Sequence, residues 1–204
     1  MTIQQESAVS PVVGVMLMLV VTIIIAAVVS AFAGGLNSDQ SKTPQASLSA
    51  EFVIDNVQDT DPATYGPNYP EDVDFTARNG IAFEHIGGDS FDIDDIYIQV
   101  QRGDTKYDLD TSDSLPTSTC LPTSVTSYIM EIGDSDGYIS PGDKFMLYTD
   151  NCFNDELYHL GYGFSFKPDG TSGGMSVFKN EKIQYKVVDK KSKMVIGTGE
   201  ITIK

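Results

Sequence analysis

AVSPVVGVMLMLVVTIIIAAVVSAFAGG, residues 8–35, holds no charged residue, and the charge nearest before it is Glu6. In the 22 residues from Val12 to Ala33 only Thr22 and Ser30 are polar. As an α-helix rising ~1.5 Å per residue, that run spans roughly 33 Å, enough to cross the hydrocarbon core of a bilayer. Ser10 is placed to cap the helix, and Pro11 falls at its first position, where a missing N–H costs nothing. Gly34 and Gly35 supply the stop, since glycine tolerates the left-handed conformation past a helix end. Val, Ile and Thr are so frequent here that apolar surroundings, not intrinsic propensity, must hold the helix.

Outward from this segment the chain changes character. Its 204 residues carry 13 Lys+Arg against 29 Asp+Glu, a formal charge of −16. That balance argues against a nucleic-acid partner, because phosphate contacts need clustered cations. Two Cys and two His leave no room for a multi-ligand zinc site. There is no Gly-rich phosphate loop, nucleophile elbow or His-x-x-x-His pair, so the sequence indicates a non-enzymatic protein without a cofactor.

Three readings compete for the N-terminal helix. Ala31-Phe32-Ala33 fits the small-x-small cleavage pattern of a secretory signal, but Met1 to Ser7 lacks Lys and Arg and the apolar run is long for one. Hydropathy alone favours a plain membrane anchor. The third reading rests on Glu6-Ser7-Ala8-Val9-Ser10-Pro11-Val12-Val13-Gly14-Val15-Met16-Leu17-Met18, which resembles the N-terminus of the archaeal type IV pilin family. The match extends over Ala8 to Leu36. It implies cleavage by a prepilin peptidase between Ser7 and Ala8, retention of the helix, and assembly by the family's ATPase and platform into a filament whose core is that helix. Two departures stand out: the leader is not basic, and Val12 occupies the place where bacterial type IV pilins carry a glutamate. Register would then come from packing. Thr22, Ala26, Ser30 and Gly34 recur every four residues, a spacing that lets helix backbones approach closely in an apolar medium, although small residues are common in membrane helices generally.

After a polar linker at 37–45 the periodicity becomes two. Ala46, Leu48, Ala50, Phe52 and Ile54 alternate with mainly polar residues, as do Ile96–Val100, Tyr158–Phe166 and Ile183–Val187. Shorter runs at Val73–Ala77, Ile81–Ile86, Val125–Ile132 and Phe145–Tyr148 bring the total to about eight strands, and Val187–Ile203 reads as a closing hairpin turning within Asp189–Lys193. The expected fold is an N-terminal hydrophobic helix followed by an antiparallel, immunoglobulin-like β-sandwich. The domains are then a leader at 1–7, a helix at 8–36, the linker, and an extracellular sandwich at 46–204.

Four features of the sandwich invite a functional reading. His85-Ile86-Gly87-Gly88-Asp89 resembles the H-x-G-G-D turn of the archaeal pilins; the two glycines would permit positive φ and Asp89 would bond the backbone ahead of it. His85 has no second His or Cys nearby and is better read as a solvated or hydrogen-bonded strand-end histidine than as a ligand. Residues 1–166 carry −20 and residues 167–204 carry +4, so the lysine-rich end either guards an edge strand or meets a neighbour's acidic face. Aligned as an EF-hand-type loop, Asp134, Asp136 and Asp143 fall at positions 3, 5 and 12 of a candidate Ca²⁺ site whose first position, Ile132, cannot ligate; an acidic turn explains the residues equally well. Cys120 and Cys152 read as one disulfide closing a 33-residue loop, with two buried thiols as the alternative, and Thr111–Ser127 as an exposed loop around Cys120.

Two functions remain. One is a structural subunit of an archaeal type IV pilus, inserted in the cytoplasmic membrane and then polymerised with itself into an adhesive cell-surface filament. The other is a membrane-anchored pilin-like protein whose sandwich binds something without polymerising.

Overall fold

The computed structural model describes residues 11–35, 42–59, 76–116, 119–155, 161–168 and 174–204. The chain divides into two compact units, Met1–Ser41 and Lys42–Lys204. In the first, α1 occupies all the described residues, Pro11 to Gly35. Ser7, Ala8 and the expected cap Ser10 lie outside the described residues, as does 37–41 of the expected linker.

The second unit is built of β1 (Ala46–Val53), β2 (Gln58–Asp59), β3 (Gly80–Gly88), β4 (Phe91–Asp92), β5 (Ile96–Arg102), β6 (Thr105–Leu109), β7 (Ile129–Ile132), β8 (Tyr138–Ile139), β9 (Lys144–Tyr148), β10 (Asn151–Asp155), β11 (Gly161–Phe166), β12 (Met175–Phe178), β13 (Lys182–Asp189) and β14 (Val195–Thr202). A short 3₁₀ turn, Ile93–Asp95, links β4 to β5. The sheet β1-β3-β9-β7 faces the sheet β14-β13-β5-β6; a third, β12-β11-β10-β2, and a two-stranded β4-β8 complete the unit. Helix plus antiparallel sandwich is therefore the fold, as the two periodicities require.

Period-two alternation places the core. Ile96, Ile98 and Val100 on β5, and Ile183, Tyr185 and Val187 on β13, point inward and are buried. Phe83 stacks on its partner in the same sheet, Phe145, at 4.9 Å and meets Tyr185 edge-on across the sandwich at 5.2 Å, joining the two large sheets. Phe52 packs on Phe164 at 5.0 Å and ties in the third.

The chain changes sheets between β9 and β10, and Asp150 holds the corner. Its backbone N–H donates to Ser165 O at 2.9 Å, and its carbonyl accepts from Cys120 N at 3.2 Å. Its buried carboxylate accepts from Tyr128 Oη at 2.6 Å, from Ser165 Oγ at 2.5 Å and from the Lys167 N–H. A buried carboxylate is tolerated only when its lone pairs are met in this way.

The structure corrects several expectations. Thr111–Ser127 is not simply an exposed loop: Leu121 and Val125 are buried against Met146 and Tyr148 on the outer side of β9. β2 pairs with β10 in parallel, Phe153 opposite Gln58, so the sheets are not wholly antiparallel. Strand structure within Val125–Ile132 begins only at Ile129. Of Val73–Ala77, residues 73–75 lie outside the described residues, and Ala77 donates its N–H to Cys120 O at 2.8 Å without forming a described strand. β6, β10 and β12 are only four or five residues long, and the polar residues of β6 and β10 weaken the apolar signal further.

Candidate functional site

α1 offers an unusual surface. Every residue from Val12 to Phe32 is exposed, and no acidic residue opens the helix nor basic residue closes it. That stretch is long and apolar enough to cross a membrane by length and composition. Thr22 Oγ1 donates to Leu19 O at 2.9 Å, so its hydroxyl is satisfied within the helix and needs no partner from outside. Thr22, Ala26, Ser30 and Gly34 follow one i±4 row along the helix surface, and Gly14 lies on the same row eight residues before Thr22.

In the sandwich, the H-x-G-G-D segment forms a clamp. β3 continues through His85 to Gly88, so the histidine is not at a strand end. His85 is fully buried, its ring 5.7 Å from Phe91, and its Nε2 lies 3.0 Å from Asp89 O. A carbonyl only accepts, so Nε2 carries the proton and donates. Asp89 does not bond ahead of itself. Its carboxylate accepts Gln45 N at 3.2 Å and meets Lys42 Nζ at 3.5 Å, while its N–H donates to Gln45 O at 2.8 Å. The Gln45 bond first, and Lys42 second, hold its carboxyl below the usual range. Of the two glycines only Gly88 has positive φ, at 109°. Thr43, buried, donates to Ser192 Oγ at 2.7 Å and so joins the start of the domain to its last hairpin.

Three lysines of that hairpin pair with the molecule's own acids. Lys182 meets Glu200 at 2.6 Å, Lys190 meets Asp110 at 3.0 Å, and Lys191 meets Asp95. β14 ends its sheet but carries no lysine, so the edge-guarding role fits poorly. At the turn, Ser192 N donates to Asp189 Oδ2 at 2.5 Å and Lys193 adopts φ 60°.

The acidic loop is assembled differently from the EF-hand alignment. Asp134 and Asp136 are brought together with Glu131, their carboxylate oxygens within 4.8 Å of one another. Asp143 sits instead in the next turn, where it accepts Ser140 N at 2.8 Å. Glu131 escaped notice in the sequence because it stands one residue before the loop template begins.

Cys120 is disulfide-bonded in the structure. The side chain of Cys152, its expected partner, lies outside the described residues.

Among the described residues, one apolar helix of membrane-crossing length precedes a β-sandwich. Residues 7–48 match the family model for "Archaeal Type IV pilin, N-terminal". The resemblance read from Glu6 to Leu36 is thereby borne out. No curated relative matches the chain.

Proposed function

We propose that this chain is the structural subunit of an archaeal type IV pilus, polymerising through α1 into a cell-surface filament for adhesion or surface interaction. One observation carries the reading: within the matched segment, the helix from Val12 to Phe32 is exposed and apolar on every side. A helix with one polar face can dock on a domain, but this one needs apolar neighbours all round. The cytoplasmic membrane supplies them before assembly, and copies of the same helix supply them afterwards. At ~1.5–3 kcal/mol per buried large side chain, the incentive exceeds the ordering entropy that opposes it.

On this reading a prepilin peptidase cuts between Ser7 and Ala8, and the pilus ATPase and platform extrude the mature chain. Cys120 and Cys152 pair with each other outside the cell, where thiols are oxidised. The Cys120 N–H to Asp150 O bond, two residues short of Cys152, supports that pairing. Electron microscopy of surface filaments with mass spectrometry of their subunit tests the whole. A mature terminus at Ala8 is expected. A terminus at Gly34 would mark a secreted protein and end the filament reading.

A further inference from the structure

Glu131 lies on β7 two residues after Ile129, so it shares the core-facing side of that strand. A carboxylate on a core face requires an explanation. One of its oxygens, Oε2, accepts the Gly137 N–H at 2.9 Å. The other, Oε1, is enclosed by protein and has no hydrogen-bond partner. The carboxylates of Asp134 and Asp136, exposed where that of Glu131 is buried, come within 4.8 Å of it. None of the ion pairs among the described residues involves any of the three. Three like charges thus converge beside an enclosed oxygen with nothing positive to meet them.

We propose that Glu131, Asp134 and Asp136 bind a calcium ion on the β7–β8 loop. The donor set is all oxygen, which suits a hard cation. The carboxylates come from a strand end and the irregular loop after it; Ca²⁺ accepts uneven protein cages of this kind, where Mg²⁺ demands near-ideal octahedral geometry. The loop also has something to gain from an anchor. Gly133, Ser135 and Gly137 all take positive φ, a costly run to order by backbone hydrogen bonds alone. Gly137 O in turn accepts Ile93 N at 3.0 Å, so fixing the loop fixes the 3₁₀ turn Ile93–Asp95 and the lysines that grip it.

The full-length protein in detergent micelles, stripped with chelator, is titrated with CaCl₂ and followed by thermal melting and by tyrosine-sensitised Tb³⁺ luminescence. Tyr138, exposed next to the loop, is the sensitiser. At 10 mM CaCl₂ the melting temperature should rise by about 3–8 °C, as for an extracellular site of modest affinity. Tb³⁺ emission should saturate and be displaced by Ca²⁺. The double variant Asp134→Asn/Asp136→Asn, whose changes are both exposed, should lose the shift and the emission, and Glu131→Gln should weaken Ca²⁺ at least tenfold. Asp143→Asn should keep both signals. No response in the parent, an unchanged response in the double variant, or an equal shift with MgCl₂ would each overturn the assignment.

Discussion

Tyr128 Oη and Asp150 Oδ2 stand 2.6 Å apart with both side chains buried, a phenol and a carboxylate joined inside the sandwich. Burial, and then Asp150 itself, raise the phenol far above its usual range, so it remains a donor throughout the working pH range. Tyr128→Phe would keep the ring but leave the carboxylate short of a donor. Hydrogen bonds to charged groups are worth about 1.5–3 kcal/mol, so a loss of that size is expected. Equilibrium denaturation should show it as a lower midpoint with an unchanged slope.

Gly87 and Gly88 should respond oppositely to the same change. A methyl group at Gly87 meets nothing within 4 Å, whereas at Gly88 it would stand 2.1 Å from Gln45 O in a backbone of φ +109°. Gly87→Ala should be close to neutral. Gly88→Ala should cost about 2–4 kcal/mol, because either β1 or the clamp on Asp89 must move. Thermal melts of the two variants side by side decide it.

The Glu131 carboxyl gives a pH dependence of known sign. Burial first, and then Asp134 and Asp136, raise it above the ordinary value of 4.5. A raised acid binds its proton more tightly folded than unfolded, so stability is lost as pH rises from the unfolded pKa through the folded one. In chelator, Glu131→Gln should melt above the parent at pH 7, and the gap should close as pH falls toward 4.5. A gap independent of pH would contradict the shift.

Ala26→Phe should impair filament assembly while leaving membrane insertion and sandwich folding intact. The substitution places a ring in the middle of the row formed by Thr22, Ala26, Ser30 and Gly34, where helix backbones would come closest. Counting filaments by electron microscopy against membrane-fraction immunoblots separates the two steps. Filaments of normal number and symmetry would rule out close packing there.

Cys120→Ser should destabilise the domain by about 3–4 kcal/mol if the loop of 33 residues to Cys152 is the one closed. Non-reducing peptide mapping of the parent should find the two cysteines in one linked pair. Two alkylatable thiols under native conditions would count against it.

How much of this was legible beforehand varied with the range of the interaction. α1 depends only on local composition, so its apolar run was enough to place it. β1, β5 and β13 alternate because each has one face on the core, whereas β9 reads as an apolar run because both its faces are covered. β10 hid its strand behind Asn151, Asn154 and Asp155, and a strand of that composition is set by its neighbours. The loop over β9 looked exposed because Ser, Thr and Pro dominate it, while two apolar residues, Leu121 and Val125, decide where it lies. Asp134 and Asp136 were visible as a pair, but Glu131 joins them only because β7 directs it to the same side as Ile129. Asp89 could not be matched with Gln45 from sequence at all, since 44 residues separate them.

The clamp at the domain's entrance bears on mechanics. Tension applied at Lys42 first loads the Asp89 bonds to Lys42 and Gln45 and the Thr43–Ser192 bond. Beyond them lies β1, paired with β3 at eight positions from Ala46–Gly88 to Val53–Gly80. A pull directed along β1 strains those pairs together in shear and does not peel them singly from one end. Rupture then requires many hydrogen bonds to fail at once, so the sandwich should yield at higher force when drawn from this end than when its last hairpin is unzipped from Lys204.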